Sequence, residues 1–296
     1  MATHSKPIGR HVLVAIALAL GGQVALGQSL HPQRVISIVP SVTEILFAIG
    51  AAPQVIGIGS FDQIPSGHPN RDNIARVGGL LDPDMERILT LRPDLVVLYR
   101  SQADPKQQLA RAGIAVLPYE HGSLADVSNT IRSLGQRTGH VAEAEALATR
   151  VEAGLAAIRA RVAGRPRPRT LLVFSREPSA LRNVYASGGI GFLHDMLDVA
   201  GGDNVFRHVR SERVAQVSSE AILTAAPDVI IEIRYEGELS PGTIDDERAV
   251  WQKLSTVPAA RTGRIHFVSG NRFVVPGPRV AEATEQLARV LHPDAF

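Results

Sequence analysis

The sequence predicts an α/β fold of two similar lobes bridged by one long α-helix. Three observations predict it. Short β-branched runs alternate with helical stretches from residue 34 onward, a regular amphipathic segment lies mid-chain, and one motif returns 134 residues after its first appearance.

The N-terminus stands apart from that fold. Lys6, Arg10 and His11 precede a nine-residue apolar run, Val12–Leu20, and Ala25-Leu26-Gly27 supply small residues before Gln28. This pattern reads as a secretory signal peptide over residues 1–27, cut near Gly27–Gln28. The run is well short of the roughly 20 residues a membrane span needs. No cysteine follows it, so a periplasmic protein without a lipid anchor is expected, and no disulfide supports the core. Two of the 31 Lys and Arg lie in the first 27 residues, which leaves 29 against 29 Asp and Glu. A balanced mature chain of this kind gives no basic surface for nucleic acid.

In the first lobe, residues 28–140, strands are predicted at Arg34–Val39, Val55–Gly59, Leu95–Tyr99 and Ala115–Pro118. Ser41-Val-Thr-Glu44 reads as a capping box opening a helix that runs to Ile49 and stops at Gly50. Residues 141–163 form the connecting helix. Val141, Ala144, Leu147, Val151, Leu155, Ile158 and Val162 recur every three or four residues, and Gly164-Arg-Pro-Arg-Pro168 ends the run. The second lobe, 164–296, has strand candidates at Thr170–Phe174, Val229–Ile233 and Ile265–Val268, with a helix at Phe192–Val199.

The repeat reads Glu-x-Ile-Leu-Thr-x-x-Pro-Asp, at Glu86–Asp94 and again at Glu220–Asp228, each copy running into an apolar strand. Pro93 and Pro227 end their helices, and Asp94 and Asp228 begin the turns. Glu86 and Glu220 fall in first helical turns, where a carboxylate favours the helix dipole.

Strand ends mark the candidate binding residues. Arg100, Arg176 and Arg234 lie just beyond predicted strands and Arg272 in a loop after one; in parallel α/β folds those ends face the crevice. Their guanidinium forks suit carboxylates and anionic chelates. Tyr99, Tyr185 and Tyr235 neighbour the same places, and Phe61 offers a ring face in the loop after the second strand. The ten histidines show no His-Glu-x-x-His spacing, and His68, His121 and His208 fall in polar loops, so solvated histidines and no catalytic set are expected. Ser187-Gly-Gly-Ile-Gly191 lacks the spacing of a nucleophile elbow or a P-loop and reads as a turn.

Arg34–Glu44, Leu91–Leu95, Gly201-Gly-Asp-Asn-Val-Phe206 and Pro276-Gly-Pro-Arg279 together resemble the helical-backbone metal-receptor family of periplasmic binding proteins, also called class III solute-binding proteins. Members bind vitamin B12, ferric siderophores or haem, and the motifs here are most similar to the vitamin B12 binders. The resemblance implies a ligand cleft between the lobes, a chelated-metal ligand with a corrinoid first, and delivery to the membrane subunits of an ABC importer by a monomer that is not an enzyme. It implies that Glu86 and Glu220 dock on that importer. Leu80 and Arg272 stand where the vitamin B12 binders carry cleft tryptophans, and Ile64 stands where haem binders carry a tyrosine before proline. A ferric siderophore or haem is the alternative ligand; a tetrapyrrole metal chelatase is the enzymatic alternative.

Overall fold

The computed structural model describes residues 1–2, 31–67, 71–210, 214–235 and 241–296. The signal segment, beyond its first two residues, and His68 lie outside the described residues. In the first lobe, β1 (Val35–Ser37), α1 (Pro40–Ala48), β2 (Val55–Ile58), β3 (Ala75–Arg76), α2 (Met85–Thr90), β4 (Leu95–Tyr99), α3 (Ala103–Arg111), β5 (Ala115–Tyr119) and α4 (Leu124–Thr138) follow one another. Its sheet is parallel throughout, in the order β3-β2-β1-β4-β5. Helix α5 (Val141–Val162) leads to β6 (Arg169–Ser175), β7 (Val184–Ala186), α6 (Phe192–Val199), β8 (Asp203–Asn204), β9 (Ala215–Val217), α7 (Ser219–Ala225) and β10 (Val229–Arg234). The chain ends with α8 (Pro241–Gln252), α9 (Pro258–Thr262), β11 (Ile265–Ser269) and α10 (Val280–Leu291).

The second sheet runs β11-β10-β6-β7-β9, with β8 beside β6. It departs from the expected parallel pattern, because β7 pairs antiparallel with both β6 and β9. Strands β7 and β9 are each three residues long, too short for alternation to register in the sequence.

Helix α1 corrects the capping-box expectation. It opens two residues earlier, with Val39 as N-cap in place of Ser41 and Pro40 as its first residue, because the fixed φ of proline suits the first helical position. Ser41 therefore lies inside the first turn, and Glu44 is free for another partner.

The internal repeat is a matched set of caps. Asp94 accepts from the backbone N–H groups of Gln33 (2.7 Å) and Arg34 (3.0 Å), and Asp228 accepts from that of Arg169 (3.1 Å). In return, Arg34 donates to the carbonyls of Leu91 and Arg92 at the end of α2, and Arg169 donates to that of Ala225 at the end of α7. The residue before each proline, Arg92 and Ala226, takes a positive φ of 47° and 42°. Left-handed backbone at a non-glycine residue costs about 1 kcal/mol, and both copies accept it to turn the chain into the strand.

Helix α5 spans about 33 Å at 1.5 Å per residue. It buries Ala144, Leu147, Ala148, Val151, Leu155, Ile158 and Val162, and leaves Val141, at its first turn, exposed. It packs on α4 of the first lobe and α10 of the second. Small residues set both approaches: a Cβ on Gly135 of α4 would stand 2.2 Å from the Ala144 Cβ, and one on Gly154 of α5 would stand 3.0 Å from that of Ala281.

A buried charge network lies inside the second lobe, and it relocates two of the candidate arginines. Arg176 has a side chain with 0% exposure. Its Nε donates to Glu232 at 3.0 Å, Nη2 donates to Glu247, and Nη1 donates to the carbonyls of Glu177 and Ala180. Arg234 Nη2 lies 2.8 Å from Glu232 and 3.0 Å from Glu247, poorly aligned for hydrogen bonding. Trp251 Nε1 donates to Glu232 at 2.6 Å. Desolvation pushes the Glu247 carboxyl upward, but the hydrogen bond and charge of Arg176 with the charge of Arg234 outweigh it and hold Glu247 low. Arg176 is thus withdrawn from any ligand, and Arg234 spends its charge on the same two carboxylates.

Two stability predictions follow from this packing. Gly135→Ala, which gains about 1 kcal/mol of helix propensity, should instead destabilise by about 1–3 kcal/mol through overpacking against α5; denaturant unfolding showing a gain would contradict the close contact. Glu232→Leu should lose about 3–5 kcal/mol by stranding a buried guanidinium. Adding Arg176→Met should recover part of that loss, since Arg234 and Glu247 remain as a pair. A double variant less stable than the single one would show that Arg176 is not the stranded group.

Candidate functional site

The C-terminal ends of β4, β5 and β6 face a cleft between the two sheets. Two adjoining cavities occupy it, of about 680 and about 400 Å³, within the range of small-molecule sites. They share Arg100, Tyr119, Glu120, His121, Gly122, Ile190 and Gly191, and so take walls from both lobes.

The first-lobe wall is aromatic. Tyr99 ends β4 and Tyr119 ends β5, opposite each other in the strand register. Their rings meet edge to face at 5.9 Å, and the His121 ring lies 5.6 Å from Tyr99 and 5.2 Å from Tyr119. From the second lobe, Phe192 at the start of α6 brings its ring 6.1 Å from His121, and Phe174 and Val274 line the same cavity. Burial pushes the Tyr119 hydroxyl up to about 12 and raises that of Tyr99 as well, so both stay protonated at neutral pH. Arg100 is the only arginine among the described residues lining these two cavities, and its Nε pairs with Glu120 at 2.7 Å, both side chains exposed.

The remaining candidates stand elsewhere. Phe61 is 69% exposed and lies against Gly79, and Tyr235 is exposed just past β10. Tyr185 sits on β7 opposite Gln216. Arg272 donates to Gln286 at 2.5 Å and stacks over Phe273. None of these four lines the two cavities. His121 and His208 are both exposed, as expected, but the His121 ring also lies among those of Tyr99, Tyr119 and Phe192 and lines the cleft. Tyr119, Glu120 and Phe192 were missed. Tyr119 directly follows the predicted strand end at Pro118, so the strand-end rule applied to β5 as it was to β4 would have found it.

The lobes also touch directly beside the cleft. Arg279 Nη2 donates to Glu44 of α1 at 2.6 Å and to Asn271 at 2.8 Å, and Asp195 of α6 accepts the Leu124 N–H at the start of α4 at 2.9 Å. Glu86 and Glu220 are exposed at equivalent second positions of α2 and α7, after the capping side chains of Asp84 and Ser218. Glu220 is held low by its own backbone N–H and by the Ser218 hydroxyl.

Below the cleft, Asp62 is 3% exposed, accepts from the Thr43 hydroxyl, and leaves Oδ1 without a partner. Arg76 donates to the carbonyls of Gly59 (2.8 Å) and Asp62 (2.6 Å), tying down the loop. Desolvation raises the Asp62 carboxyl to about 6, against the opposing effects of Thr43, the Gly59 backbone and Arg76. Between the ordinary carboxyl value and 6, the fold keeps a proton that the unfolded chain has lost, so stability should fall as pH rises through that window. The change should be about 3 kcal/mol, at 1.36 kcal/mol per pKa unit. Asp62→Asn should flatten this slope in unfolding measured from pH 4 to 7; an unchanged slope would assign it to other groups.

Comparison with known proteins agrees with this architecture. The sequence profile of the family described as periplasmic binding protein matches residues 35–268. The uncharacterized ABC transporter substrate-binding lipoprotein YvrC of Bacillus subtilis (strain 168) is 27% identical over 271 residues, 90% of this chain and 82% of that protein. A vitamin B12-binding protein of Yersinia pestis (strain Pestoides F) is 27% identical over 285 residues, 96% of this chain and 92% of that one. Among solved structures, the apo form of the periplasmic haem-binding protein RhuT from Roseiflexus sp. RS-1 superposes with a TM-score of 0.72 at 25% identity, covering 89% of this chain and 99% of that one. The matched span runs from β1 of the first lobe through the connecting helix to β11 of the second, and the chain belongs to the periplasmic binding protein family.

Proposed function

We propose that this protein is the solute-binding component of an ABC importer and carries a chelated-metal ligand of the corrinoid class, capturing it without chemical turnover. The observation that carries the ligand class is the composition of the cleft walls. Tyr99, Tyr119 and His121 face Phe174 and Phe192 across it, surfaces suited to the planes and edges of a macrocycle. The arginines that would have favoured a strongly anionic ferric siderophore are mostly absent from those walls. Arg176 and Arg234 are neutralised by Glu232 and Glu247, and Arg100 already faces Glu120. Haem fits the same aromatic walls and is the alternative, but its two propionates would have to compete with Glu120 for Arg100. A corrinoid makes the smaller demand on cationic groups. The vitamin B12-binding protein among the relatives supports the same order. No helix among the described residues is long and apolar enough to cross a membrane, so import needs separate membrane subunits, and Glu86 and Glu220 are the proposed docking points. One exposed carboxylate on each lobe suits a partner with paired basic sites, where charge pairs set encounter and register.

Calorimetric titration of residues 28–296 tests the ligand: cyanocobalamin should bind more tightly than haemin or ferric catecholate and hydroxamate siderophores. Preference for a ferric siderophore would overturn the corrinoid reading, and insertion of free metal into a tetrapyrrole would favour the chelatase. Glu86→Ala with Glu220→Ala should leave ligand affinity within about twofold, since rim charges act mainly on encounter, while lowering stimulation of importer ATPase activity. Normal stimulation by the double variant would remove the docking assignment.

A further inference from the structure

The two cleft cavities differ in what their walls offer. The smaller is walled by both lobes, with Tyr99, Phe174, Phe192 and Val274 around it. The larger belongs almost wholly to the first lobe: the edge strand β5, the loop after it and one face of α4. Ile190 and Gly191 are the second lobe's only share of it among the described residues. At about 680 against about 400 Å³, it holds the greater volume, so a ligand confined to the aromatic cavity would leave much of the cleft empty.

Helix α4 turns a polar stripe toward that larger space. Asp126, Asn129, Thr130 and Ser133 line it at spacings of three and four residues, which puts them on one helix face. Val127, Ser128 and Ile131 are buried, and Arg132 pairs instead with Glu145 (2.8 Å) and Glu152 (2.6 Å) of α5. Within the stripe, Asp126 is committed to its cap, accepting the Ser123 N–H at 2.7 Å and the Ser123 hydroxyl at 2.8 Å. The Thr130 hydroxyl donates to the Asp126 carbonyl at 2.7 Å and can still accept. Asn129 and Ser133 have no hydrogen-bond partner among the described residues, so their amide and hydroxyl are available to a ligand.

The charges on this wall select against anions. Glu120 and Asp126 stand against one guanidinium, that of Arg100, which Glu120 already pairs at 2.7 Å. A carboxylate entering here meets like charge, whereas an amide does not. A peptide strand is disfavoured too, because Pro118 on the edge strand denies it a backbone donor. We propose that the larger cavity is a subsite for an uncharged, amide- or hydroxyl-bearing arm of the bound chelate, with Asn129 and Ser133 hydrogen-bonding the arm and Glu120 and Asp126 excluding carboxylates. This rests on the chelated-metal reading given above and deepens it. A corrinoid carries carboxamide arms around its ring, whereas haem carries two carboxylates.

Calorimetric titration of residues 28–296 provides the test, with cyanocobalamin, cobinamide, cobyrinic acid (the carboxylate counterpart of cobinamide) and haemin as probes. Asn129→Ala with Ser133→Ala should weaken cyanocobalamin binding at least about fivefold, the effect of two lost hydrogen bonds. The same variant should keep its thermal unfolding midpoint, and its affinity for haemin should stay within about twofold, since rim positions outside the aromatic cavity do not touch that ligand. The unsubstituted protein should bind cobinamide at least about tenfold more tightly than cobyrinic acid. A double variant that binds cyanocobalamin undiminished, or that loses haemin in equal measure, would overturn the subsite and leave the chelate-binding reading intact. Equal affinity for cobinamide and cobyrinic acid would overturn the exclusion of carboxylates. Failure of all four probes to bind would overturn both the subsite and the chelate-binding reading.

Discussion

Helix α5 has to bury one apolar stripe against partners from two lobes, and the rest of the architecture depends on that constraint. Its first half meets α4 at the Gly135–Ala144 approach, and its later turns meet α10 at Gly154–Ala281. Neither contact can slide by much without a methyl group colliding with backbone, because packed helices have no slack at such points. The spacing of the two sheets is fixed by this rod, and the ends of β4, β5 and β6 are held across a cleft of set width. A flexible linker would leave cleft width to the ligand; a packed helix leaves the ligand to fit the cleft.

Within each lobe the reciprocal capping by Arg34 with Asp94, and Arg169 with Asp228, ties the first strand to the turn entering its neighbour. This explains why the repeated motif was readable. Its Pro and Asp serve the backbone, and backbone needs recur wherever the same turn recurs. The long helix and the buried parallel strands were legible for a related reason, since burial on a fixed period leaves a pattern. The antiparallel β7 and β9 left none, being too short to show alternation. The first turn of α1 misled because Ser41 and Glu44 have the spacing of a cap while Pro40 already starts the helix.

The site was legible only in part. Strand ends pointed to Tyr99 and Arg100, which do line the cleft, because parallel strands present their C-terminal ends to one edge. The same rule could not say which arginines would find carboxylates nearer than the cleft. Glu232 lies within β10 and Glu247 on α8, far apart in sequence from Arg176, so their convergence is a property of packing alone. His121 is exposed as a loop histidine should be, but its place in the cleft wall was hidden for the complementary reason. Its sequence neighbours Glu120 and Gly122 are those of a surface loop, and the aromatic company that defines it comes from three separate elements.

The contact between Glu44 and Arg279 joins residues 235 positions apart. Loop closure on that scale gains nothing until most of the chain is ordered, and such contacts form late. A chain emerging from its N-terminus can complete the first sheet and α4 well before residue 279 is available. Until Phe174 and Phe192 are in place, the aromatic wall at Tyr99 and Tyr119 has no opposite face, so the surface that later lines the cleft is for a time an open apolar patch. The last few dozen residues then add the tie of Arg279 to Glu44 and the packing of α10 on α5, so truncation at the C-terminus would loosen the hold of the second lobe on the lobe synthesised first.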